Sequence, residues 1–148
     1  GTLAMNLAYG GNSAIPVRFV FELAAPTYFV AEDWGSLMKS DNLGSEEEFY
    51  RMMTGKELSA QEYRQEIKKI SPTCLVGEDS VPTLIGYGLK DHCVPADQKE
   101  YLIDALEKNG VSYDYVEFPH SNHLLYGDLD KMQTFMDLSL EYCKKYFQ

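Results

Sequence analysis

The sequence predicts an α/β fold, and three observations carry the prediction. Apolar strand-like runs alternate with amphipathic helical stretches, the joints between them are short, and loops rich in glycine or proline follow the strands. Short joints between strand, helix and strand are the mark of βαβ units with parallel strands and right-handed crossovers.

The first ten residues, Gly1 to Gly10, place apolar groups at helical spacing and stop at the Gly10-Gly11 pair, a natural helix terminator. No N-cap residue precedes Gly1, so the element is expected to begin upstream. After Pro16, the run Val17-Arg18-Phe19-Val20-Phe21-Glu22-Leu23 is rich in β-branched and aromatic residues and reads as a buried strand. From about 27 to 70 the composition turns polar and helical. Two capping boxes, Ser45 with Glu48 and Ser59 with Glu62, each start a short helix, and Ser71-Pro72 ends the second. Val81 to Gly88 is a second apolar strand leading into a glycine-rich loop. A helix from about Ala96 to Asn109 follows, with Tyr101, Leu102, Ala105 and Leu106 on one face and Gly110 as its stop. Ser112 to Phe118 alternates Tyr113, Tyr115 and Glu117 with Val116 and Phe118, as a half-exposed strand near a sheet edge does. The last helix, about Asp128 to Phe147, carries Met132, Phe135, Met136, Leu140, Cys143 and Phe147 as its apolar stripe.

Composition narrows the function classes. With 148 residues and 45% hydrophobic content the chain can build one core. Lys plus Arg number 13 against 23 Asp plus Glu, and the net charge of −10 repels a phosphate backbone, so nucleic acid is not an expected partner. The apolar runs Leu23–Ala31 and Val81–Leu89 fall far short of the roughly 20 apolar residues of a membrane span. Cys74, Cys93 and Cys143 are an odd set without CxxC spacing, which suggests reduced thiols and a cytoplasm-like compartment.

In open parallel sheets the chemistry sits beyond the C-terminal ends of the strands. There the second strand runs into Gly88-Leu89-Lys90-Asp91-His92-Cys93-Val94-Pro95 and the third into Pro119-His120-Ser121-Asn122-His123. An aspartate on one loop and a histidine on the next suit a hydrolytic triad, in which the carboxylate fixes the imidazole tautomer and the imidazole takes the nucleophile's proton. Asp91 and His123 are the candidates. The competing reading of Asp91 is a cap on the following turn. His120 competes as the base, and a metal site built from His120 and His123 with Asp91, His92 or Cys93 is the other chemistry these loops offer. As nucleophiles, Ser13 lacks the second glycine of a strand-to-helix elbow, and Cys93 neighbours the acid instead of the base.

The succession strand, G-x-x-D-x-x-V-P, helix, strand, P-x-x-x-H resembles the C-terminal half of α/β-hydrolases of the esterase and lipase type, and the resemblance covers nearly the whole chain. It implies about three parallel strands with flanking helices, with 1–148 as the C-terminal part of one domain and a helical lid inserted at about 27–70. It further implies Asp91 as the triad acid, His123 as the base, His120 as a rim residue, and Pro95 at the opening of the intervening helix. Gly1-Thr2-Leu3-Ala4 is similar to the continuation of the nucleophile elbow, so the resemblance places the serine and the oxyanion hole upstream of Gly1 and implies a chain inactive alone. Trp34, Leu37, Met38, Phe49, Tyr50, Met52 and Met53 would either line the acyl site beneath the lid or only anchor two surface helices. The implied substrate is a small ester and no cofactor is required. The expected partners are the missing N-terminal half and a second copy, joined through the bare strand edge at 17–23. A serine amino- or dipeptidyl peptidase of the same fold is the alternative enzyme, and a non-catalytic interaction module the alternative of another class.

Overall fold

A computed structural model of the chain describes residues 1–11, 13–30, 34 and 44–147. Three parallel strands form its sheet in the order β1 (Val20–Leu23), β2 (Thr83–Gly88), β3 (Tyr113–Phe118). Val20 stands opposite Thr83, and the β2–β3 register runs from Thr83 with Tyr113 to Gly88 with Phe118. All three C-terminal ends therefore lie on one side. Among the described residues both outer strands pair only with β2, so β3 stands at the edge its alternating pattern implies.

β1 starts three residues later than the apolar run that begins at Val17. One position before Thr83 stands Pro82, which has no N–H to donate to a preceding residue of β1, and the ladder opens instead with Val20 N–H on the Pro82 carbonyl. The first helix, α1 (Thr2–Tyr9), buries Met5 and Tyr9 and ends at Gly10. Both capping boxes form: Ser45 and Glu48 open α2 (Glu46–Thr54), and Ser59 and Glu62 open α3 (Ala60–Glu66). Gly55, at φ 69°, closes α2. Ser71-Pro72 both ends one helix and starts another, because Pro72 occupies the first turn of α4 (Pro72–Leu75), where its missing N–H costs nothing.

Helices cover both faces of the sheet. On one side α1, α4 and α5 (Gln98–Lys108) pack Met5, Tyr9, Leu102 and Leu106 against Val20, Ile85 and Tyr87. On the other, α6 (Leu129–Tyr146) packs Phe135 and Tyr142 against Leu84, Val116 and Phe118. The stripe of α6 differs from the sequence expectation. Met136, Leu140 and Phe147 are exposed, and the buried row runs Phe135, Ser139, Tyr142, with Tyr146 partly covered. Aromatic pairing fixes that rotation: Phe21 packs edge-on against Phe135 and Tyr142, and the Tyr142 hydroxyl bonds the Thr83 carbonyl at 3.0 Å and Asp114 at 2.9 Å. Ser139 is tolerated in the row because its hydroxyl donates to the Phe135 carbonyl at 2.8 Å.

Candidate active site

Gly88 and Phe118 end their strands side by side, and the two following loops stay in contact. Leu89 N–H donates to the Phe118 carbonyl and Lys90 N–H to the Ser121 carbonyl, both at 3.0 Å. This approach needs a glycine at 88, since a Cβ there would stand 2.5 Å from the Ser121 oxygen and 2.7 Å from the Asn122 oxygen.

The contact brings Asp91 and His123 together, with Asp91 Oδ2 2.9 Å from His123 Nδ1. The Asp91 side chain is fully buried, whereas that of His123 is 39% exposed. Asp91 Oδ1 accepts from the backbone N–H groups of Cys93 at 2.7 Å and Val94 at 3.0 Å. Asp91 thus serves both loops, one on each oxygen: Oδ1 caps the turn through Cys93 and Val94, and Oδ2 bonds the imidazole of His123. With the Nδ1 proton engaged by a carboxylate, Nε2 is left as the proton acceptor. His123 also lines a recess of about 330 Å³ with His92, Cys93, Asn122 and Leu124.

His120 has its own carboxylate, which sequence reasoning missed. Its Nδ1 lies 2.7 Å from Asp128 Oδ1, and Asp128 Oδ2 accepts from His120 N–H at 2.9 Å and from the Ser121 hydroxyl at 2.6 Å. Burial pushes the Asp128 carboxyl up, but the hydrogen bonds from Ser121 and His120 outweigh it and hold the group below its ordinary value. The His120 ring is 72% exposed and does not border the recess. This second pair ties the loop after β3 to the start of α6.

The remaining candidates fall elsewhere. Ser13 precedes β1 and so stands at the opposite end of the sheet from Asp91 and His123. No described serine hydroxyl is bonded to His123. Of the expected lid residues, Leu37 and Met38 lie outside the described residues. Trp34, Phe49 and Tyr50 are buried in the main core, where Tyr50 stacks on Tyr63 at 3.8 Å and Trp34 on Phe29 at 6.2 Å; Met53 packs against that core and Met52 is exposed. None of Trp34, Phe49, Tyr50, Met52 and Met53 borders the recess beside His123. Among the described residues, one group of three metal-type donors converges, Asp91, Cys93 and His123, without His92 or His120.

A buried acid under the site also escaped the sequence reading. Glu22, near the end of β1, is fully buried, and its Oε1 accepts from Ala25 N–H, while no hydrogen bond reaches Oε2 among the described residues. Burial pushes its carboxyl up to about 8. The Tyr87 hydroxyl donates to the Ala25 carbonyl, so Glu22 and Tyr87 hold the same turn from its two polar groups. Beyond it, Gln98 Oε1 accepts from Thr27 and Tyr28 N–H, each at 2.8 Å, and fastens the strap after β1 to the start of α5.

The family model described as the prolyl oligopeptidase family matches residues 9–148. The chain belongs to the prolyl oligopeptidase family. No curated protein matches it significantly. Among solved structures it is similar to an acetyl ester-xyloside bifunctional hydrolase from Caldicellulosiruptor lactoaceticus, at 17% identity and TM-score 0.67, over 97% of this chain and 52% of that one. It is also similar to vibralactone cyclase, at 16% identity and TM-score 0.53, over 97% of this chain and 47% of that one. A truncated carbohydrate esterase from gut microbiota matches 55% of the chain and 28% of its own at 27% identity and TM-score 0.48. This member of the prolyl oligopeptidase family thus has an α/β-hydrolase fold and spans about half the length of the bifunctional hydrolase and the cyclase. No helix among its described residues is long and apolar enough to cross a membrane.

Proposed function

We propose that this chain supplies the acid and the base of a serine hydrolase that cleaves carboxylic esters, with Asp91 as the acid and His123 as the base. The carrying observation is the 2.9 Å bond from a fully buried carboxylate to a half-exposed imidazole that lines a recess. The nucleophilic serine comes from a segment outside residues 1–148, a reading supported by the chain's spanning about half the length of the acetyl ester-xyloside hydrolase and vibralactone cyclase structures. In the reaction His123 takes the serine proton as the hydroxyl attacks the acyl carbon, then returns it to the departing alcohol. Water repeats the cycle on the acyl-enzyme. Asp91 holds the tautomer and stabilises the imidazolium. The recess, at about 330 Å³, suits a short acyl or alcohol group.

Membership of the prolyl oligopeptidase family favours a second reading, hydrolysis of a peptide bond by the same acid and base. The two separate on substrates. The full-length protein is assayed on p-nitrophenyl acetate and butyrate and on aminoacyl and dipeptidyl p-nitroanilides. The p-nitrophenyl esters are intrinsically far more reactive than the anilides, so the ester reading expects ester turnover that disappears in His123→Ala with no detectable anilide cleavage; anilide cleavage that disappears in His123→Ala selects the peptidase.

A further inference from the structure

Cys93 has no part in the acid–base chemistry, yet it is placed against it. We propose that Asp91, Cys93 and His123 together bind a thiophilic divalent cation, zinc above all, and that the bound ion holds the acid–base pair inactive. The second half rests on the function proposed above; the first does not.

The donor atoms of the three residues lie within 4.8 Å of one another. Tetrahedral zinc, with bonds of about 2.0–2.3 Å, needs its ligands roughly 3.3–3.7 Å apart, so the set has to close by about 1 Å. Cys93 can supply that movement, because its thiol is free and exposed while its backbone N–H is anchored on Asp91 Oδ1. The other two ligands are already fixed against each other. Oxygen, nitrogen and sulfur donors together suit a borderline ion such as zinc and not the hard cations, calcium or magnesium, that prefer oxygen alone. Cys93 and His123 both line the recess, so the ion is reached from solvent there. The chain's net charge of −10 favours a cation generally.

Binding converts the thiol to a thiolate and releases one proton to the buffer, while the imidazole gives a lone pair and the carboxylate an oxygen. The ion takes His123 at Nδ1, the ring nitrogen that faces Asp91. It displaces the hydrogen bond to Asp91, the ring proton moves to Nε2, and Nε2 can no longer accept the serine proton.

The test uses cobalt(II) as a visible stand-in for zinc on the reduced 148-residue chain. The expected result is a thiolate-to-cobalt absorption that saturates at one ion per chain and is bleached by an equivalent of zinc. Cys93→Ser abolishes it, Cys74→Ser and Cys143→Ser keep it, and His123→Ala weakens cobalt binding at least tenfold. No absorption at millimolar cobalt, or an absorption that survives in Cys93→Ser, overturns the site. In the full-length protein, zinc inhibition reversed by EDTA and weakened at least tenfold in Cys93→Ser is expected; equal inhibition of both overturns the regulatory half. If the absorption behaves as expected but the full-length protein hydrolyses neither esters nor anilides, the site stands and the proposed function fails.

Discussion

Asp91 divides its two oxygens between two tasks: Oδ2 meets His123 Nδ1 at 2.9 Å while Oδ1 caps the turn through Cys93 and Val94. Asp91→Asn separates the tasks. Two backbone N–H groups demand an acceptor at the Oδ1 position, so the asparagine amide nitrogen turns toward the imidazole. It then forces Nδ1 to accept and puts the proton on Nε2, the wrong tautomer for a base. Hydrolysis in the full-length protein is expected to fall roughly 10³–10⁴-fold in kcat with an unchanged melting temperature. A drop of less than tenfold contradicts the assignment.

His120 and His123 each hold a carboxylate but differ in what they face. His123→Ala is expected to abolish ester hydrolysis in the full-length protein, by at least 10³-fold in kcat/KM, whereas His120→Ala loosens only the loop clamp at Asp128 and costs less than about tenfold. Paired kinetics on the two variants decide, and equal losses contradict the choice of base.

Gly88→Ala tests how the loops meet. The added methyl would press on the backbone oxygens of Ser121 and Asn122 at 2.5 and 2.7 Å, and backbone cannot step aside as a flexible side chain can. A destabilisation of about 1–3 kcal/mol is expected from such overpacking, with the Asp91–His123 contact lengthened. Urea denaturation reads the first effect and the histidine ring NMR signals the second. Wild-type behaviour in both would show that the loops have slack.

Glu22 makes stability depend on pH. Its carboxyl, pushed up to about 8 by burial against an ordinary 4.5, favours the protonated state in the folded chain. Its contribution is therefore complete below about pH 4.5 and is lost as pH rises through 8, at roughly 1.4 kcal/mol per unit in that window. Glu22→Gln retains the acceptor for Ala25 N–H and cannot ionise. Unfolding free energies at pH 5, 6.5 and 8 should fall less steeply for the variant, and parallel slopes contradict a protonated Glu22.

The outer edge of β1 pairs with no described strand, and Leu3, Leu7 and Leu23 lie exposed on α1 and β1. Unpaired edges recruit partners. The 148-residue chain is expected to self-associate on light scattering at micromolar concentration; a clean monomer across that range contradicts the expectation.

Much of this architecture was legible in the sequence because local chemistry specified it. Ser45 with Glu48 and Ser59 with Glu62 satisfy their own helix starts, and the apolar run into Gly88 needs no distant partner to read as a buried strand. The meeting of Asp91 with His123 was legible through their place after successive strands. What escaped was long-range. The rotation of α6 depends on rings from β1, the strand start depends on Pro82 of the neighbouring strand, and the partners of Asp128, Glu22 and Gln98 are set by tertiary contact. Asp128 gave one usable signal, an acid placed where a helix begins. Buried Glu22 gave none, since an acid in an apolar run reads the same whether its side chain points in or out.

Labelling of the full-length protein with a fluorophosphonate probe, followed by peptide mass mapping, tests the central claim most directly. The account predicts one modified serine, located before Gly1 of this sequence, whose labelling disappears in His123→Ala and persists in His120→Ala. A label on a residue within 1–148, or one that His123→Ala leaves intact, would contradict it.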